Sequence, residues 1–349
     1  MNICIRADGG STIGMGHIMR TLVLAQKLKE NHNVFYACRM DDSLSDKYKL
    51  GIEKVESEGF NVVKLYENNL KSEVKDIKAD CIITDSYDVD EEYFNILKKY
   101  FKISGYLDDE KICNYFNVDF LINQNIYAED LNYNVNLDTE LMLGNKYIIL
   151  RDEFRNLKKK EIKKNIENIM ITLGGGDNDN LTEVIIKSLV KLKNVVLHIV
   201  VGPAFKYMEN LKKYESSNVK LYFNANMAKI MRECDLAVAS CGTTLYELAA
   251  IGIPTIGLVV AENQALAAET MDAKGIIKYS DLQNLYKDIV YLSYEKRKHM
   301  SFSGSNIVDG MGVNRIVEFI ERRLEQSEFS YNSGTYGIYK VTSKGNEKN

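Results

Sequence analysis

The chain has 349 residues, 45% of them hydrophobic, and a formal net charge of −4 at neutral pH. A chain of this length is too long for a single ordinary core and predicts two α/β domains, and the acidic balance gives no sign of a basic surface for nucleic acid or acidic lipids. No leader-like segment is visible, and no run approaches the ~20 apolar residues that span a bilayer, which predicts a cytoplasmic protein without stable membrane association. Six scattered cysteines without a Cys-x-x-Cys pair indicate a reduced protein with no zinc site.

The most informative stretch is RADGGSTIGMGHIMR at residues 6–20, directly after an apolar, strand-like run at 3–5. Because glycine tolerates positive φ and lets the backbone approach a ligand, its four glycines predict a strand, a loop and then a helix. The spacing fits neither a Walker A loop nor the G-x-G-x-x-G of a dinucleotide site. His17 is expected at the start of that helix, where anions are favoured, and a catalytic role and a buried structural role are both open at this point.

Strand-like and helical segments alternate through residues 1–145, the predicted first domain. Strands are predicted at 32–38, 61–66, 80–84, 102–107 and 120–122, and helices at 48–57 and 91–101. This alternation predicts a parallel sheet covered by helices, whose ligands bind at the carboxyl ends of the strands. Polar residues follow nearly every strand at that edge, and they are Asp8, Asp85, Ser86, Tyr87, Asp108, Asp109, Asn123 and Asn125.

A charge-rich segment at 146–165 predicts a linker, and a second series of strands and helices predicts a second domain at 166–326. The strands of this series are predicted at 169–173, 194–201, 219–223 and 236–239. An amphipathic helix at 313–325 closes the fold. The polar remainder at 327–349 is predicted as a tail that is either disordered or forms one strand at 336–341.

A second informative stretch, SCGTTLYELAAIGIP at 240–254, begins where a strand is predicted to end. A helix is expected to start near Thr243 or Thr244, with Glu247 one turn further on. Helix starts favour diphosphates, and a carboxylate one turn along can accept hydrogen bonds from ribose hydroxyls. The alternative is a capping box, in which Thr244 caps the helix and Glu247 is its reciprocal partner.

This part of the chain resembles the donor-nucleotide domain of GT-B glycosyltransferases. In that group a glycine- or serine-rich turn, a helix carrying Glu, a Gly-x-Pro and a later Asn-Gln hold UDP, and the matching Asn-Gln here is Asn263 and Gln264. The stretch at 6–20 is similar to the signature of the UDP-2,4-diacetamido-2,4,6-trideoxy-β-L-altropyranose hydrolases of pseudaminic acid biosynthesis. Supporting matches lie at 84–87, 120–128, 147–154 and 171–177, and the resemblance covers residues 1–325. The turn at 241–244 departs from the hydrolases and is closer to the transferases.

The resemblance implies a GT-B-like fold of two Rossmann-type domains with a cleft between them, and hydrolysis of a UDP-sugar with inversion at the anomeric carbon. It implies His17 as the general base for water, with no cofactor and no metal ion. The diphosphate would be held by backbone N–H groups at 174–176 and 242–244. The residues expected to bind substrate are Arg6, Asp8, Gly14, Gly16, Arg20, Tyr87, Asn125, Arg151, Gly174, Gly175, Gly242, Thr243, Thr244, Glu247, Asn263 and Gln264.

Two other functions use the same UDP site: a glycosyltransferase with a UDP-sugar donor, and a nucleotide-binding protein without catalysis. Asp-x-Asp pairs at 88–90 and 177–179 resemble metal sites of transferases, but so short a pattern recurs by chance, and helix starts are favoured over a metal at the diphosphate. The carboxylate pairs Asp8 with Asp85 and Asp108 with Asp109 are assigned to sugar hydroxyls or loop structure rather than to glycosidase chemistry. The sequence carries no signal for an oligomeric state.

Overall fold

The computed structural model describes residues 1–155 and 159–336, with side chains up to residue 327. The strands of its first sheet are β1 (Asn2–Ala7), β2 (Asn33–Met40), β3 (Val62–Tyr66), β4 (Cys81–Asp85), β5 (Ile103–Leu107), β6 (Phe120–Asn123) and β7 (Glu140–Leu143). All seven are parallel, in the order β3-β2-β1-β4-β5-β6-β7. The helices of this half are α1 (Gly16–Leu28), α2 (Asp46–Ser57), α3 (Leu70–Glu73) and α4 (Glu91–Tyr100).

The second sheet is also fully parallel, with the order β10-β9-β8-β11-β12-β13. Its strands are β8 (Asn168–Thr172), β9 (Val196–Val201), β10 (Val219–Phe223), β11 (Leu236–Ser240), β12 (Thr255–Leu258) and β13 (Lys278–Ser280). The remaining helices are α5 (Leu181–Leu189), α6 (Met208–Lys212), α7 (Met227–Glu233), α8 (Thr244–Ile251), α9 (Ala265–Ala273), α10 (Leu285–Val290), α11 (Tyr294–Ile307) and α12 (Gly312–Tyr336).

Central strands of both sheets are buried on both faces, which explains their continuous apolar runs. Ile3, Cys4 and Ile5 of β1 have no exposed surface, and Ile169 and Ile171 of β8 are equally buried. Helices cover each face, as the alternation of elements predicts. The predicted architecture of two parallel, helix-covered sheets is therefore confirmed.

Each sheet has one place where the chain switches sides. After β1 the chain builds β2 and β3 on one side, and β4 then pairs with the other side of β1, with Ala7 opposite Asp85. In the second sheet, β11 joins the free side of β8, with Ala239 opposite Thr172. Loops on the two sides of such a point diverge and leave a crevice, which is where open α/β sheets bind ligands.

Helix α12 returns from the second half of the chain to the first. Its residues Val313, Ile316 and Ile320 are buried in the core formed by β1, α1 and their neighbours, and Asn31 donates a 2.9 Å hydrogen bond to Glu321 on this helix. The helix continues to Tyr336, so the first part of the predicted polar tail is helical. The rest of the tail, including most of the strand predicted at 336–341, lies outside the described residues.

No helix in the described segments is long and apolar enough to cross a bilayer. The six cysteines are all free thiols, and five of them are buried. Burial raises the pKa of the Cys241 thiol to about 12, which keeps it protonated and unreactive near neutral pH.

Candidate active site

The glycine loop after β1 is closed on itself and pressed against α2. Gly10 and Gly14 exchange two backbone hydrogen bonds of 2.9–3.0 Å, and Gly14 has a φ of +82°. A Cβ on Gly10 would lie 1.9 Å from the carbonyl oxygen of Lys47, so only glycine permits this approach. The packed loop fixes the position at which α1 begins.

His17 is the second residue of α1 and is almost buried, with 8% of its surface exposed. Its Nδ1 atom lies 2.6 Å from Oδ1 of Asp85, the last residue of β4. The ring of Tyr87 meets the imidazole edge-on, with ring centroids 4.6 Å apart. The first switch point therefore holds an imidazole between a carboxylate and an aromatic ring.

Arg20, one turn after His17, joins two carboxylates. Its Nε and Nη2 atoms donate 2.6 Å hydrogen bonds to the two oxygens of Asp85, and Nη1 donates to both oxygens of Asp109 at 2.9 and 2.7 Å. Burial alone would raise the pKa of Asp85, but Arg20 and His17 lower that pKa to about 2. Arg20 is predicted to bind substrate, but its guanidinium already donates hydrogen bonds to two protein carboxylates.

A chain of hydrogen bonds extends from Asp109 across to the second domain. Tyr87 Oη and Asn125 Nδ2 donate to its two oxygens at 2.9 and 2.8 Å. Tyr246 of α8 donates in turn to Oδ1 of Asn125 at 3.3 Å and accepts from the backbone N–H of Ile126 at 3.1 Å. The structure thus brings the predicted residues His17, Arg20, Tyr87 and Asn125 into one network.

Arg6 and Asp8, also predicted to bind substrate, lie in a separate buried cluster. Nη1 of Arg6 is 2.9 Å from Oδ2 of Asp8, and Arg39 donates to Asp8 from its backbone N–H at 2.7 Å and from Nε at 2.8 Å. Arg39 also donates to Asp88. Within the described residues, the guanidinium nitrogens of Arg6 have no hydrogen-bond partner, so its contact with Asp8 is an ion pair with poor hydrogen-bond angles.

On the other side of the cleft, the turn after β8 and the turn after β11 lie side by side. Gly174 has a φ of +90°, and a Cβ placed on it would be 3.7 Å from Oγ of Ser240. A Cβ on Gly175 would lie 3.7 Å from the side chain of Met15 in the first-domain loop. The glycine turn of one domain therefore faces the glycine loop of the other.

Helix α8 begins without a side-chain cap. Its N-cap is Thr243, whose side chain makes no capping hydrogen bond, so the capping box considered from the sequence does not form. Glu247 instead accepts two hydrogen bonds from Arg151, at 2.7 and 2.9 Å. Burial raises the pKa of Glu247, although Arg151 opposes that shift. Two predicted substrate-binding residues thus contact each other directly.

Gln264 stabilises the turn after β11 by hydrogen bonds. Asn263, the residue before it, is exposed. Oε1 of Gln264 accepts from the backbone N–H groups of Cys241 and Val260, at 3.2 and 3.1 Å. Its Nε2 atom lies 3.9 Å from the position of a Cβ on Gly242. Only that nitrogen of Gln264 remains to contact a ligand.

The aspartates of the two Asp-x-Asp pairs mostly serve local structure. Asp90 caps α4 by accepting from the backbone N–H of Tyr93 at 2.9 Å, and Asp177 accepts from Leu181 and Thr182 at the start of α5, both at 2.8 Å. No group of three or more His, Cys, Asp or Glu side chains in the described part of the chain could hold a metal ion.

Sequence patterns did not reveal the roles of Asp85, Asp109 and Tyr246 in this network. The spacing of His17 and Arg20 already predicts that both lie on one helix face. Asp85, by contrast, is 68 residues from His17, and only the pairing of β4 with β1 brings it there. Strand order was the missing information, because alternation of strands and helices is compatible with several orders.

Residues 168–298 match the family model described as the glycosyltransferase family 28 C-terminal domain. This segment contains all strands of the second sheet and the turns after β8 and β11. The predicted resemblance of this half to GT-B glycosyltransferases is confirmed.

The relatives that match over most of this chain include the following three. An uncharacterised protein of Methanocaldococcus jannaschii is 32% identical over 282 residues, which are 76% of this chain and 57% of that protein. The UDP-2,4-diacetamido-2,4,6-trideoxy-β-L-altropyranose hydrolase of Campylobacter jejuni is 29% identical over 79% of this chain and 97% of its own length. A Helicobacter pylori protein named as pseudaminic acid cytidylyltransferase and the same hydrolase is 26% identical over 92% of this chain and 56% of that protein.

This chain spans just over half the length of the Methanocaldococcus and Helicobacter relatives, and nearly the full length of the Campylobacter hydrolase. Two of the three relatives bear the hydrolase name, which confirms the resemblance predicted from residues 6–20.

Solved structures with the same fold include MurG from Acinetobacter baumannii, with a TM-score of 0.62 and 14% identity over 92% of this chain and 99% of that chain. The UDP-GlcNAc 2-epimerase from Neisseria meningitidis, bound to UDP-GlcNAc, has a TM-score of 0.57 and 12% identity over 92% of this chain and all of that chain. At such identities the likeness concerns the fold alone. The chain has the GT-B-like fold of two Rossmann-like domains.

Proposed function

We propose that this protein hydrolyses a UDP-linked 2,4-diacetamido-2,4,6-trideoxyhexose to the free sugar and UDP, for pseudaminic acid biosynthesis. The observation that carries the proposal is the position of His17. Its imidazole is hydrogen-bonded to a buried carboxylate, beside a cleft whose opposite wall is a glycine turn. The names of the Campylobacter and Helicobacter relatives supply the substrate class.

The opposite wall has the features that a diphosphate requires. Backbone N–H groups at the uncapped start of α8 carry partial positive charge and favour an anion. We assign the diphosphate to the N–H groups of Gly174 and Gly175 and of residues 242–244, with Nε2 of Gln264 and the side chain of Asn263 as further donors. Glu247 lies one turn into α8 and would accept from the ribose while Arg151 holds it in place.

In the proposed reaction, Nε2 of His17 removes a proton from water as the water oxygen attacks the anomeric carbon. The bond from that carbon to the diphosphate oxygen breaks, and its electron pair leaves with UDP. A single displacement inverts the anomeric configuration. Imidazole suits this role because it changes charge near neutral pH, and general-base help of this kind is worth ~10²–10⁴ in rate.

The leaving group needs stabilisation as much as the water needs a base. Backbone dipoles aimed at the developing charge on UDP can supply it without a metal ion. Tyr87 and Asn125 both donate hydrogen bonds to Asp109, which belongs to the same network as His17. We assign these two side chains to contacts with the sugar.

The test is to incubate the purified protein with UDP-2,4-diacetamido-2,4,6-trideoxy-β-L-altropyranose, without an acceptor and with EDTA present. We expect release of UDP, and proton NMR of the freshly formed sugar should show the inverted anomer. His17→Asn should lower kcat by ~10²–10⁴ while retaining UDP affinity in calorimetry. His299 is exposed on α11, so His299→Asn is the matched control and should keep full activity. An active His17→Asn variant would refute the role of His17.

The match to the glycosyltransferase family 28 model favours one alternative, a transferase that uses a UDP-sugar donor. That function predicts UDP release only after a sugar or lipid acceptor is added. Release that requires Mg²⁺ and stops in EDTA would contradict the proposed metal-independent mechanism.

A further inference from the structure

We propose that Asp85 is the positioning residue of His17, and that Arg20 and Asp109 fix Asp85 so that Nε2 of His17 is the nitrogen presented to the cleft. Where it concerns rate, this inference rests on the proposed function. Where it concerns the state of the imidazole, it rests on the geometry of four side chains and can be tested without any substrate.

The contact with Asp85 determines which ring nitrogen of His17 carries the proton. Its Nδ1 atom is 2.6 Å from a carboxylate oxygen, and two atoms with only lone pairs would repel at that distance. Arg20 donates to both oxygens of Asp85, which keeps the carboxylate ionised and acceptor-only. The proton between the two groups therefore sits on Nδ1, so in the neutral imidazole the lone pair is on Nε2.

Asp85 itself is held rigidly in place. The residue is fully buried and stands at the end of a central strand, paired with β1 on one side and β5 on the other. Arg20 is held from its far side by both oxygens of Asp109. A planar guanidinium that bridges two carboxylates fixes their orientation, and a lysine at this position would supply only one point charge.

A carboxylate, an aromatic ring and a guanidinium face His17. Asp85 lies on one side of the ring and Tyr87 on another. Nη2 of Arg20 is 3.4 Å from Nδ1, and the carboxylate of Asp109 pairs with the other end of the Arg20 guanidinium. Removing the negative charge of Asp85 leaves Arg20 beside the ring, which disfavours the imidazolium. The acid limb of the pH–rate profile should then move to lower pH.

Asp85→Asn is the informative substitution. Arg20 donates toward both oxygen positions, so the NH₂ group of an asparagine meets one Arg20 donor in either orientation, and with the oxygen toward Nε the NH₂ group faces His17. The NH₂ group would donate to Nδ1, which moves the imidazole proton to Nε2 and removes the base from the cleft. In a Ser-His-Asp triad the corresponding exchange lowers kcat by ~10⁴.

Nitrogen-15 NMR of histidine-labelled protein reads this tautomer directly. The chain has only four histidines, and the His17 signals are assigned by their loss in His17→Asn. We expect the Nδ1-protonated form in the unaltered protein and the Nε2-protonated form in Asp85→Asn. Finding Nε2 protonated in the unaltered protein would overturn the proposal, and this result needs no variant to fold.

Kinetics provide the second measurement, with the UDP-sugar named above. Asp85→Asn should lower kcat by ~10²–10⁴ with KM little changed, and shift the acid limb to lower pH. Arg20→Lys keeps the charge, so it should lower kcat by less and leave the acid limb in place. Unchanged kcat in folded Asp85→Asn would also overturn the proposal.

The matched control is Asp119→Asn. Asp119 is another buried carboxylate of the first domain, but it precedes β6 at the amino end of the sheet, where it accepts from the backbone N–H of Ser104 at 2.8 Å. It should lower stability without altering the tautomer or the pH–rate profile. If no UDP-sugar is hydrolysed by the unaltered protein, the proposed function fails, while the NMR result still decides the role of Asp85.

Discussion

His17 and Thr243 both lie where a helix follows a strand at a switch point, one in each domain, yet their surroundings differ. His17 is enclosed by side chains: a carboxylate, a guanidinium and an aromatic ring all contact its imidazole or its immediate partner. Thr243 is the N-cap of α8, and its side chain makes no capping hydrogen bond. One wall of the cleft is thus built from side chains and the other from backbone N–H groups.

The difference fits the function that we propose for each wall. A base acts through one nitrogen and needs its orientation fixed, which long side chains achieve only when they hold one another. A diphosphate is large and charged, and several fixed backbone dipoles suit it without loss of side-chain entropy.

The largest effect on the side-chain wall should come from the loop that carries it. Gly10→Ala would place a Cβ 1.9 Å from the backbone of α2, so we expect a loss of about 3 kcal/mol in the free energy of unfolding, measured in urea. Gly16→Ala meets no atom within 4 Å and is the matched control, with a change within about 0.5 kcal/mol. Equal effects would mean that the loop is not fixed by its contact with α2.

The backbone wall can be tested by removing one donor. Thr243 has a φ of −58°, which proline can adopt, so Thr243→Pro removes an N–H group with little strain at that residue. We expect UDP binding in calorimetry to weaken by about 2 kcal/mol, the scale of a hydrogen bond to a charged group. Thr243→Ala keeps the N–H group and should bind UDP normally; if it binds as weakly as the proline variant, the side chain is responsible instead.

The lowered pKa of Asp85 predicts a particular loss of stability in acid. A folded pKa of about 2, against an ordinary 3.8, stabilises the protein above about pH 4 by about 2 kcal/mol, and this contribution disappears as the pH falls toward 2. Asp85→Asn should therefore lose less stability than the unaltered protein across that range in urea titrations. Parallel pH curves for the two proteins would contradict the assigned pairing.

The smallest effect concerns the connection between the two walls. Tyr246→Phe removes the hydroxyl that contacts Asn125 and the N–H of Ile126, and we expect a loss of about 1 kcal/mol in the free energy of unfolding. If this bridge helps to orient the network around His17, kcat falls while UDP affinity is kept. Tyr214→Phe removes a hydroxyl bonded to Glu183 within the second domain and should leave kcat unchanged.

Much of the cleft could be predicted because its parts are local in sequence. A strand followed by glycines and an amphipathic helix has its own signature, and this signature predicts His17 and Thr243 at helix starts. Short edge strands were not predicted: β7 and β13 have only four and three residues. Periodicity needs length, and such strands are too short to provide it.

Local patterns in the chain were enough to specify the two series of strands and helices, the glycine turns and the helix that presents the imidazole. Turn chemistry and hydrophobic period act between near neighbours, so they can be read without knowing the packing. The contacts of Asp85 with His17, of Arg151 with Glu247 and of α12 with the first core emerge only in the folded molecule. They join residues 68 or more positions apart. They depend on strand order and on how the two domains pack, which local patterns leave undetermined.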